Sequence, residues 1–351
     1  MRTFDYREKW KKLLTPEIVS YLTQIHEFKG EQKWFLETKE KEDILTQLAD
    51  RAKTQSAGAS SKLADVDTSD SRLKALVRDT TRPRTHNERE IAGYRDVLNT
   101  IHENYEYIPL KPPIILQMHR DLYKFESGEA GGEYRASDSI IEKRNLKGNI
   151  ILQFQPVETV EIPEAMNVLC QAFADAIAEQ QAEPLLLIPM FILDFLCIHP
   201  FHAGTGRMSR LLTLLLLNRT GYFVGKYISI EQLIEESKDD YYDCLQRSTA
   251  QWHRNENDYE PFVKYMLEII VAAYCDLNKQ VKLLTTEGLS KPDRVREIIR
   301  LTHGTITKTE ILEKCPDISQ VTVQRALADL VESRKILKIG GGRYTKYTWN
   351  N

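Results

Sequence analysis

A polar stretch with a histidine, glycines and two arginines interrupts the most apolar part of the sequence. It reads His199-Pro200-Phe201-His202-Ala203-Gly204-Thr205-Gly206-Arg207-Met208-Ser209-Arg210. Largely apolar segments flank it, residues 185–198 before it and residues 211–217 after it. Because segments that are apolar on nearly every side are buried, the sequence predicts a polar loop between two core helices.

The residue types in this loop are those that hold a phosphate and act on it. Gly204 and Gly206 let the main chain approach a ligand, and a helix that starts there presents unpaired N–H groups and a partial positive charge. Arg207 and Arg210, three residues apart, share one helix face, and a guanidinium matches phosphate oxygens in a bidentate fork. His199 can take a proton from a hydroxyl. Together these residues predict transfer of a phosphate-containing group.

The spacing of the loop resembles the signature of the Fic family, His-Pro-Phe-x-acid-Gly-Asn-Gly-Arg-x-x-Arg. The matching positions are His199, Pro200, Phe201, Gly204, Gly206, Arg207 and Arg210. The resemblance implies a mostly α-helical Fic core with a β-hairpin flap, which moves AMP from ATP to a Ser, Thr or Tyr hydroxyl of a target protein. It also implies that His199 is the base and that the nucleotide phosphates lie against residues 204–206, Arg207 and Arg210.

Two positions depart from the signature. Ala203 replaces the acid that holds Mg²⁺ in the family, and Thr205 replaces the Asn at the α-phosphate. The resemblance therefore implies ATP as the donor, with Mg²⁺ carried weakly by the nucleotide phosphates and no metal ligand at position 203. Loss of a metal ligand removes a large catalytic contribution, so we expect a weak or inactive transferase.

A second element, Ser60-Ser61-Lys62-Leu63-Ala64-Asp65, lies upstream. It resembles the family's self-inhibition motif, Ser/Thr-x-x-x-Glu-Gly/Asn, whose Glu pairs with the second signature arginine. Ser60 is retained, but Ala64 stands at the Glu position. The loss either reflects an enzyme with no activity to restrain or leaves Arg210 free in an open site. An ordinary helix cap by the serine pair is the alternative interpretation.

Composition and charge describe a globular protein of two or three domains. Of 351 residues, 42% are hydrophobic and 28% are charged, and the net charge of −3 gives no global attraction to nucleic acid or membranes. The five cysteines form no Cys-x-x-Cys pair, which is typical of reduced thiols in a cytoplasmic protein. The apolar run of residues 185–198 is too short to span a bilayer, so we expect no membrane partner.

Periodicity and the resemblance together predict three regions. Residues 1–110 form an N-terminal helical region with the inhibitory remnant, residues 111–280 the Fic core, and residues 285–351 a separate module. In the core, two β-like runs around a turn predict a hairpin over residues 139–152. Because two strands alone are marginal in water, the resemblance implies a flap on which an extended target segment docks. A surface hairpin without a partner is the alternative.

Two polar positions after the signature helix resemble the family's adenosine-side elements. The resemblance implies that Tyr241 lies against the base and that Asn255 bonds near the ribose or the base. Aromatic rings in helices belong more often to the core than to a ligand platform, and that alternative remains open for Tyr241.

The C-terminal module has the pattern of a winged helix-turn-helix. The sequence predicts helices over residues 294–301, 306–314 and 321–333, followed by a two-stranded wing. Its basic residues include Arg325, Arg334, Lys335, Lys338, Arg343 and Lys346. DNA binding through residues 318–348 follows as a hypothesis, and binding of another protein is the alternative.

Three functions remain open at this point. The first is an AMP transferase whose partners are ATP and an unidentified target protein. The second is a degenerate Fic fold that binds a nucleotide without chemistry and regulates through the winged helix. The third is a DNA-binding repressor in which the Fic core serves only as the scaffold of a homodimer.

Overall fold

The computed structural model describes most of the chain, in two compact units. The described residues are 2–37, 42–126, 131–138, 140–144, 148, 150–285, 289–302, 305–342 and 345–350. Ser139, most of the predicted hairpin turn and Arg343 lie outside them. One unit comprises Met1–Glu37 and Leu48–Tyr274, and the other comprises Thr38–Gln47 and Cys275–Asn351.

The fold is mostly α-helical, as predicted. The helices up to the end of the predicted core are α1 Tyr6–Lys9, α2 Pro16–Glu37, α3 Glu42–Lys62, α4 Asp70–Val77, α5 His86–Asn104, α6 Pro112–Leu122, α7 Ile162–Glu179, α8 Pro184–Ile198, α9 Thr205–Arg219, α10 Val224–Tyr227, α11 Ile230–Glu236, α12 Lys238–Thr249 and α13 Glu260–Thr285. Local signals fix several starts: the Thr85 hydroxyl caps α5 by accepting from the Glu88 amide, and prolines open α6.

The helix before the polar loop, α8, forms the centre of the core. Its apolar residues are buried on nearly every face, as its sequence predicts. The buried Asp194 carboxylate accepts hydrogen bonds from Tyr6, Trp252 and Tyr259 and lies 3.4 Å from an Arg2 nitrogen. These partners offset the cost of burying its charge. None of the described helices is both long and apolar enough to cross a membrane.

The predicted hairpin is present as β1 Ile141–Arg144 and β2 Ile150–Phe154, which we call the flap. The strands are antiparallel, with Ile141 opposite Phe154 and Lys143 opposite Leu152. Because side chains alternate along a strand, these four share one face.

The second unit contains α14 Lys291–Leu301, β3 Ile306–Thr307, α15 Lys308–Lys314, α16 Gln320–Glu332, β4 Ile336–Ile339 and β5 Lys346–Trp349. Its sheet has the order β3-β5-β4. The prediction of a helix from residue 306 was wrong at its start, because Ile306 pairs with Tyr347 as a third strand. Thr307 then caps α15 in a reciprocal capping box with Glu310.

Candidate functional site

A cavity of about 490 Å³ lies in the first unit where α9 begins. The end of α8 and the first residues of α9 form one side of it. The residues after α3, the start of α5, one face of the flap and one face of α12 complete the wall. The cavity therefore gathers residues from the signature loop, from the upstream element and from the flap.

Gly204 makes the turn from which α9 starts. Its φ of 84° lies in the left-handed region, and a Cβ there would lie 2.9 Å from the Tyr123 hydroxyl. The next amides, of Thr205, Gly206 and Arg207, begin the helix and have no intrahelical acceptors. The helix dipole adds partial positive charge at this point. The start of α9 thus has the geometry of an anion site.

The Thr205 side chain, in contrast, is used inside the loop. Its hydroxyl lies 3.3 Å from the Phe201 carbonyl oxygen and 3.4 Å from the Phe201 amide nitrogen, and the residue is buried. The main-chain amide of Thr205, rather than its hydroxyl, is therefore the group that this arrangement offers to a ligand.

His119 on α6 supports the loop from the core side. The Gly132 amide donates to its Nδ1, so its Nε2 carries the proton and donates to the Ala203 carbonyl, each at 3.0 Å. Its ring stacks on Phe201, with centroids 3.7 Å apart. Burial lowers the pKa of His119 to about 4, so this neutral form persists at neutral pH.

His199 ends α8 and borders the cavity. Its φ of 49° places it in the left-handed conformation, which is unusual for a residue with a side chain. Its Nδ1 is buried without a hydrogen-bond partner. Burial and then the positive charge of Arg135 lower the pKa of His199 to about 4. The imidazole is therefore neutral near pH 7 and able to accept a proton.

Arg135 joins the turn at His199 to the flap. Its Nε donates to the His199 carbonyl at 2.9 Å, and its own amide donates to the Pro200 carbonyl at 2.9 Å. The other guanidinium nitrogens donate to Ser137, before the flap, and to Val157, after it. One buried cation thus stabilises a left-handed turn and fixes both ends of the hairpin.

The first signature arginine, Arg207, is held by a carboxylate. Its Nη2 donates to Glu90 at 2.7 Å and to the Tyr123 hydroxyl at 2.6 Å. Arg207 is only 4% exposed, and its Nε and Nη1 are buried without partners. Buried donors are normally satisfied, and a bound anion would satisfy these. Glu90 therefore pairs with Arg207 and leaves two of the arginine's donor nitrogens, Nε and Nη1, unused.

The second signature arginine, Arg210, contacts the upstream element. Its Nε donates to the Ser60 hydroxyl and its Nη2 to the Ser60 carbonyl, both at 2.9 Å. Ala64 lines the cavity nearby and brings no carboxylate to it. Asp65 adopts a left-handed conformation with φ 60°, and its side chain pairs with Lys143 of the flap at 3.2 Å.

The two adenosine-side candidates differ in position. Tyr241 lines the cavity, although its ring also packs against Phe262 and Tyr265 in the core. Asn255 is not among the residues that line the cavity, because its side chain is bonded to Lys9 and faces Thr3. The structure thus brings Tyr241, but not Asn255, together with the signature loop.

Several residues that shape the cavity were missed in the sequence: Glu90, His119, Tyr123 and Arg135. A signal existed for His119, because it lies four residues after Ile115 on the apolar face of α6. A polar ring on an apolar face must find hydrogen-bond partners. No local pattern marks the other three.

Fold and site together define a helical domain in which a helix start with the geometry of an anion site shares a cavity with a hairpin flap. Residues 109–217 match the model of the Fic/DOC family. This part of the chain is a Fic domain.

Two relatives known by sequence are named protein adenylyltransferase Fic. The protein adenylyltransferase Fic of Aedes aegypti is 28% identical over 214 residues, which are 58% of this chain and 37% of that protein. The protein adenylyltransferase Fic of Drosophila mojavensis is 27% identical over 188 residues, 51% of this chain and 32% of that protein. The chain thus spans about a third of the length of these relatives.

Solved structures agree on the fold. A Fic family protein from Desulfovibrio desulfuricans G20 superposes with a TM-score of 0.63 at 20% identity, covering 96% of this chain and 97% of that chain. A Fic-domain signalling protein from Bacteroides thetaiotaomicron VPI-5482 gives a TM-score of 0.60 at 19% identity, covering 72% of this chain and 95% of that chain. At such identities the likeness concerns the fold alone.

Proposed function

We propose that this protein is a Fic-type AMP transferase that uses ATP to modify a hydroxyl of a target protein. The observation that carries the proposal is the presence of the neutral His199 imidazole in one cavity with Arg210 and the first amides of α9. A proton acceptor beside a phosphate site is what transfer to a hydroxyl requires.

In the proposed reaction, His199 takes the proton of the target hydroxyl. The hydroxyl oxygen then forms a bond to the α-phosphorus of ATP, while the bond from that phosphorus to the bridging oxygen of the β-phosphate breaks. AMP stays on the target and pyrophosphate leaves. The amides of residues 205–207 and the guanidinium of Arg210 stabilise charge that develops on the phosphate oxygens.

The residues fit a nucleotide better than a protein-held metal. The unpartnered donors of Arg207 and the amides of α9 suit phosphate oxygens. Among the described residues, no group of three or more His, Cys, Asp and Glu side chains is arranged to hold a metal ion. We therefore assign no step to a metal, and Mg²⁺ enters this proposal only as a companion of ATP.

The target segment is proposed to dock along the flap. Hydrophobic residues at or beside the strand ends, Ile140 and Ile150, are 61% and 46% exposed. The other long edge is covered, since the Gln153 amide of β2 donates to the Gln246 side chain on α12. In the described part of the hairpin β1 pairs with β2 alone, so its outer edge offers main-chain pairing to an extended peptide.

Incubation with ATP labelled at the α-phosphate tests the proposal. We expect label on protein, including self-labelling, that disappears in His199→Ala and increases in the double variant Ala203→Asp with Thr205→Asn. Label at wild-type level in His199→Ala would contradict the proposal. ATP binding without label, even in the double variant, would favour a nucleotide-binding regulator instead.

A second candidate activity, DNA binding by the C-terminal unit, has its own support. The described basic residues in and near α16, β4 and β5 are exposed: Arg325, Arg334, Lys335, Lys338 and Lys346. A cavity of about 690 Å³ beside α16 and β4 is lined by Lys308 and Lys338, and also by Glu332. The exposed basic side chains near this candidate recognition helix suit a phosphate backbone.

A gel-shift titration of the full chain over several salt concentrations tests this second candidate. Affinity should fall steeply with salt, and Lys338→Ala should reduce the slope by about one unit. Salt-independent retardation, or a slope unchanged by Lys338→Ala and Arg325→Ala together, would exclude it.

A further inference from the structure

The flap directs one of its basic residues into the cavity and the next one away from it. Lys143 shares the cavity-lining face with Ile141, Leu152 and Phe154. Arg144 follows it and is exposed, and its Nε lies 2.7 Å from Glu142 on the same hairpin. The two adjacent cations thus occupy opposite faces of the hairpin, and Arg144 also donates to the Gly148 carbonyl within it.

The Lys143 ammonium is held by a weak and replaceable partner. It pairs with Asp65 at 3.2 Å, and the two side chains are 37% and 72% exposed. Ion pairs this exposed contribute little to stability. An anion of higher charge that enters the cavity can therefore displace the Asp65 carboxylate at little cost.

Lys143 and Arg210 both line the cavity. Burial raises the pKa of the Tyr242 phenol, and the positive charges of Lys143 and Arg210 both oppose that rise. Asp65 acts in the opposite sense on the same phenol. Lys143, Arg210 and Tyr242 all line this cavity, so the two cations lie on the wall of the same space.

The cavity has also lost the acid that the Fic signature has at position 203. Ala203 lines the cavity in place of that acid, and its methyl group cannot hold a metal ion. A triphosphate bound there draws positive charge from the start of α9, from cations that accompany it and from side chains on the cavity wall.

We propose that Lys143 is a phosphate-binding residue, which exchanges Asp65 for the terminal phosphates of the nucleotide and adds positive charge beside them. This inference rests on the proposed function, because it takes ATP as the ligand of the cavity. It assigns the flap a role in nucleotide binding in addition to the docking of a target segment.

Binding of ATP to the full chain in the presence of EDTA, measured by calorimetry, tests the proposal. Lys143→Met removes the charge but keeps the stem, and should weaken ATP binding about 10-fold, which corresponds to about 1.4 kcal/mol. Lys143→Arg should restore most of the affinity. Asp65→Asn should bind ATP at least as tightly as the wild type.

Arg144→Met is the matched control, and adenosine is the control ligand. Arg144→Met should bind ATP like the wild type, and Lys143→Met should bind adenosine like the wild type, because adenosine carries no phosphate. Equal ATP affinities of Lys143→Met and Arg144→Met would overturn the role of Lys143 and leave the proposed function standing. A parallel loss of adenosine binding would assign Lys143 a structural role and overturn it as well.

Absence of ATP binding by the wild type would remove both proposals together. Binding without transfer of the α-phosphate label would remove only the proposed function. The two failures are therefore separable, because the role of Lys143 is measured by affinity and the transferase activity by label.

Discussion

Arg210 and Ser60, 150 residues apart in the sequence, are joined by two hydrogen bonds of 2.9 Å. Ser60 lies in the last turn of α3, where carbonyl groups lack intrahelical donors. The guanidinium therefore caps the C-terminal end of α3 as well as facing the cavity. Arg210 therefore stays in contact with the upstream element. Among the described residues, no carboxylate pairs with it.

Replacing Ser60 tests the energetic weight of this contact. Ser60→Ala leaves the buried Arg210 Nε without its acceptor and should lower the free energy of unfolding by about 1–3 kcal/mol. Ser61→Ala is the control, because the Ser61 hydroxyl is buried without a partner and its loss should be neutral or stabilising. Urea titration measures both variants; equal effects would contradict the assigned contact.

Glu90 should stabilise the free protein at the expense of anion binding. Glu90→Gln removes the carboxylate that neutralises the buried Arg207, so we expect a lower melting temperature without ligand. Added phosphate or ATP should recover part of the loss, because an anion then replaces the carboxylate.

The control for this prediction lies on the same helix. Glu88 pairs with Arg72 and does not line the cavity. Glu88→Gln should also lower the melting temperature, but its deficit should not shrink with added anion. Equal rescue of both variants would show that the anion does not act at Arg207.

Gly204 should tolerate no side chain, for two separable reasons. An alanine there would have to adopt the left-handed backbone conformation, which is unfavourable for a residue with a side chain. Its Cβ would also lie 2.9 Å from the Tyr123 hydroxyl. Gly148 has a similar φ of 81° but open space around it. Gly148→Ala should cost about 1 kcal/mol in the free energy of unfolding, from the backbone alone, and Gly204→Ala clearly more. Similar costs would mean that the approach of Tyr123 is unimportant.

Because burial keeps several histidines neutral in the folded protein, we expect the free energy of unfolding to decrease as the pH falls. The pKa of His119 is lowered to about 4 from an ordinary value of 6.5, so between these values the unfolded chain binds a proton that the folded chain does not. Stability due to this residue is therefore complete above pH 6.5 and falls by about 1.4 kcal/mol per pH unit within the window.

The variant His119→Gln isolates this contribution. It should reduce the slope of the free energy of unfolding against pH between 6.5 and 4 by about one proton equivalent, whatever its effect on absolute stability. His199 and His102, whose pKa values burial lowers to about 4 and about 3, should keep their own parts of the slope. An unchanged slope in His119→Gln would contradict the neutral form on which the bond to Ala203 depends.

The local features of the site were predictable because they depend on neighbours in sequence. The two glycines and the apolar flanks indicated a helix that starts at residue 205, and the β-like runs indicated the flap. Each depends on turn chemistry or on periodicity, which a single sequence records.

The partners of the arginines were not predictable, because they come from other helices. Arg207 meets Glu90 of α5 and Tyr123 after α6, and no spacing in the sequence relates these positions. Asn255 shows the reverse case: the family resemblance implied a contact with the ribose or the base, but the turn after α12 directs its side chain to Lys9. Tertiary packing decides both.

A crystal structure with a non-hydrolysable ATP analogue tests the account most directly. We expect the phosphates at the first amides of α9, within hydrogen-bond distance of Arg210 and of a Lys143 side chain released from Asp65, with the α-phosphate facing His199. An analogue bound elsewhere, or phosphates remote from α9 while Arg210 and Lys143 keep their present partners, would contradict it.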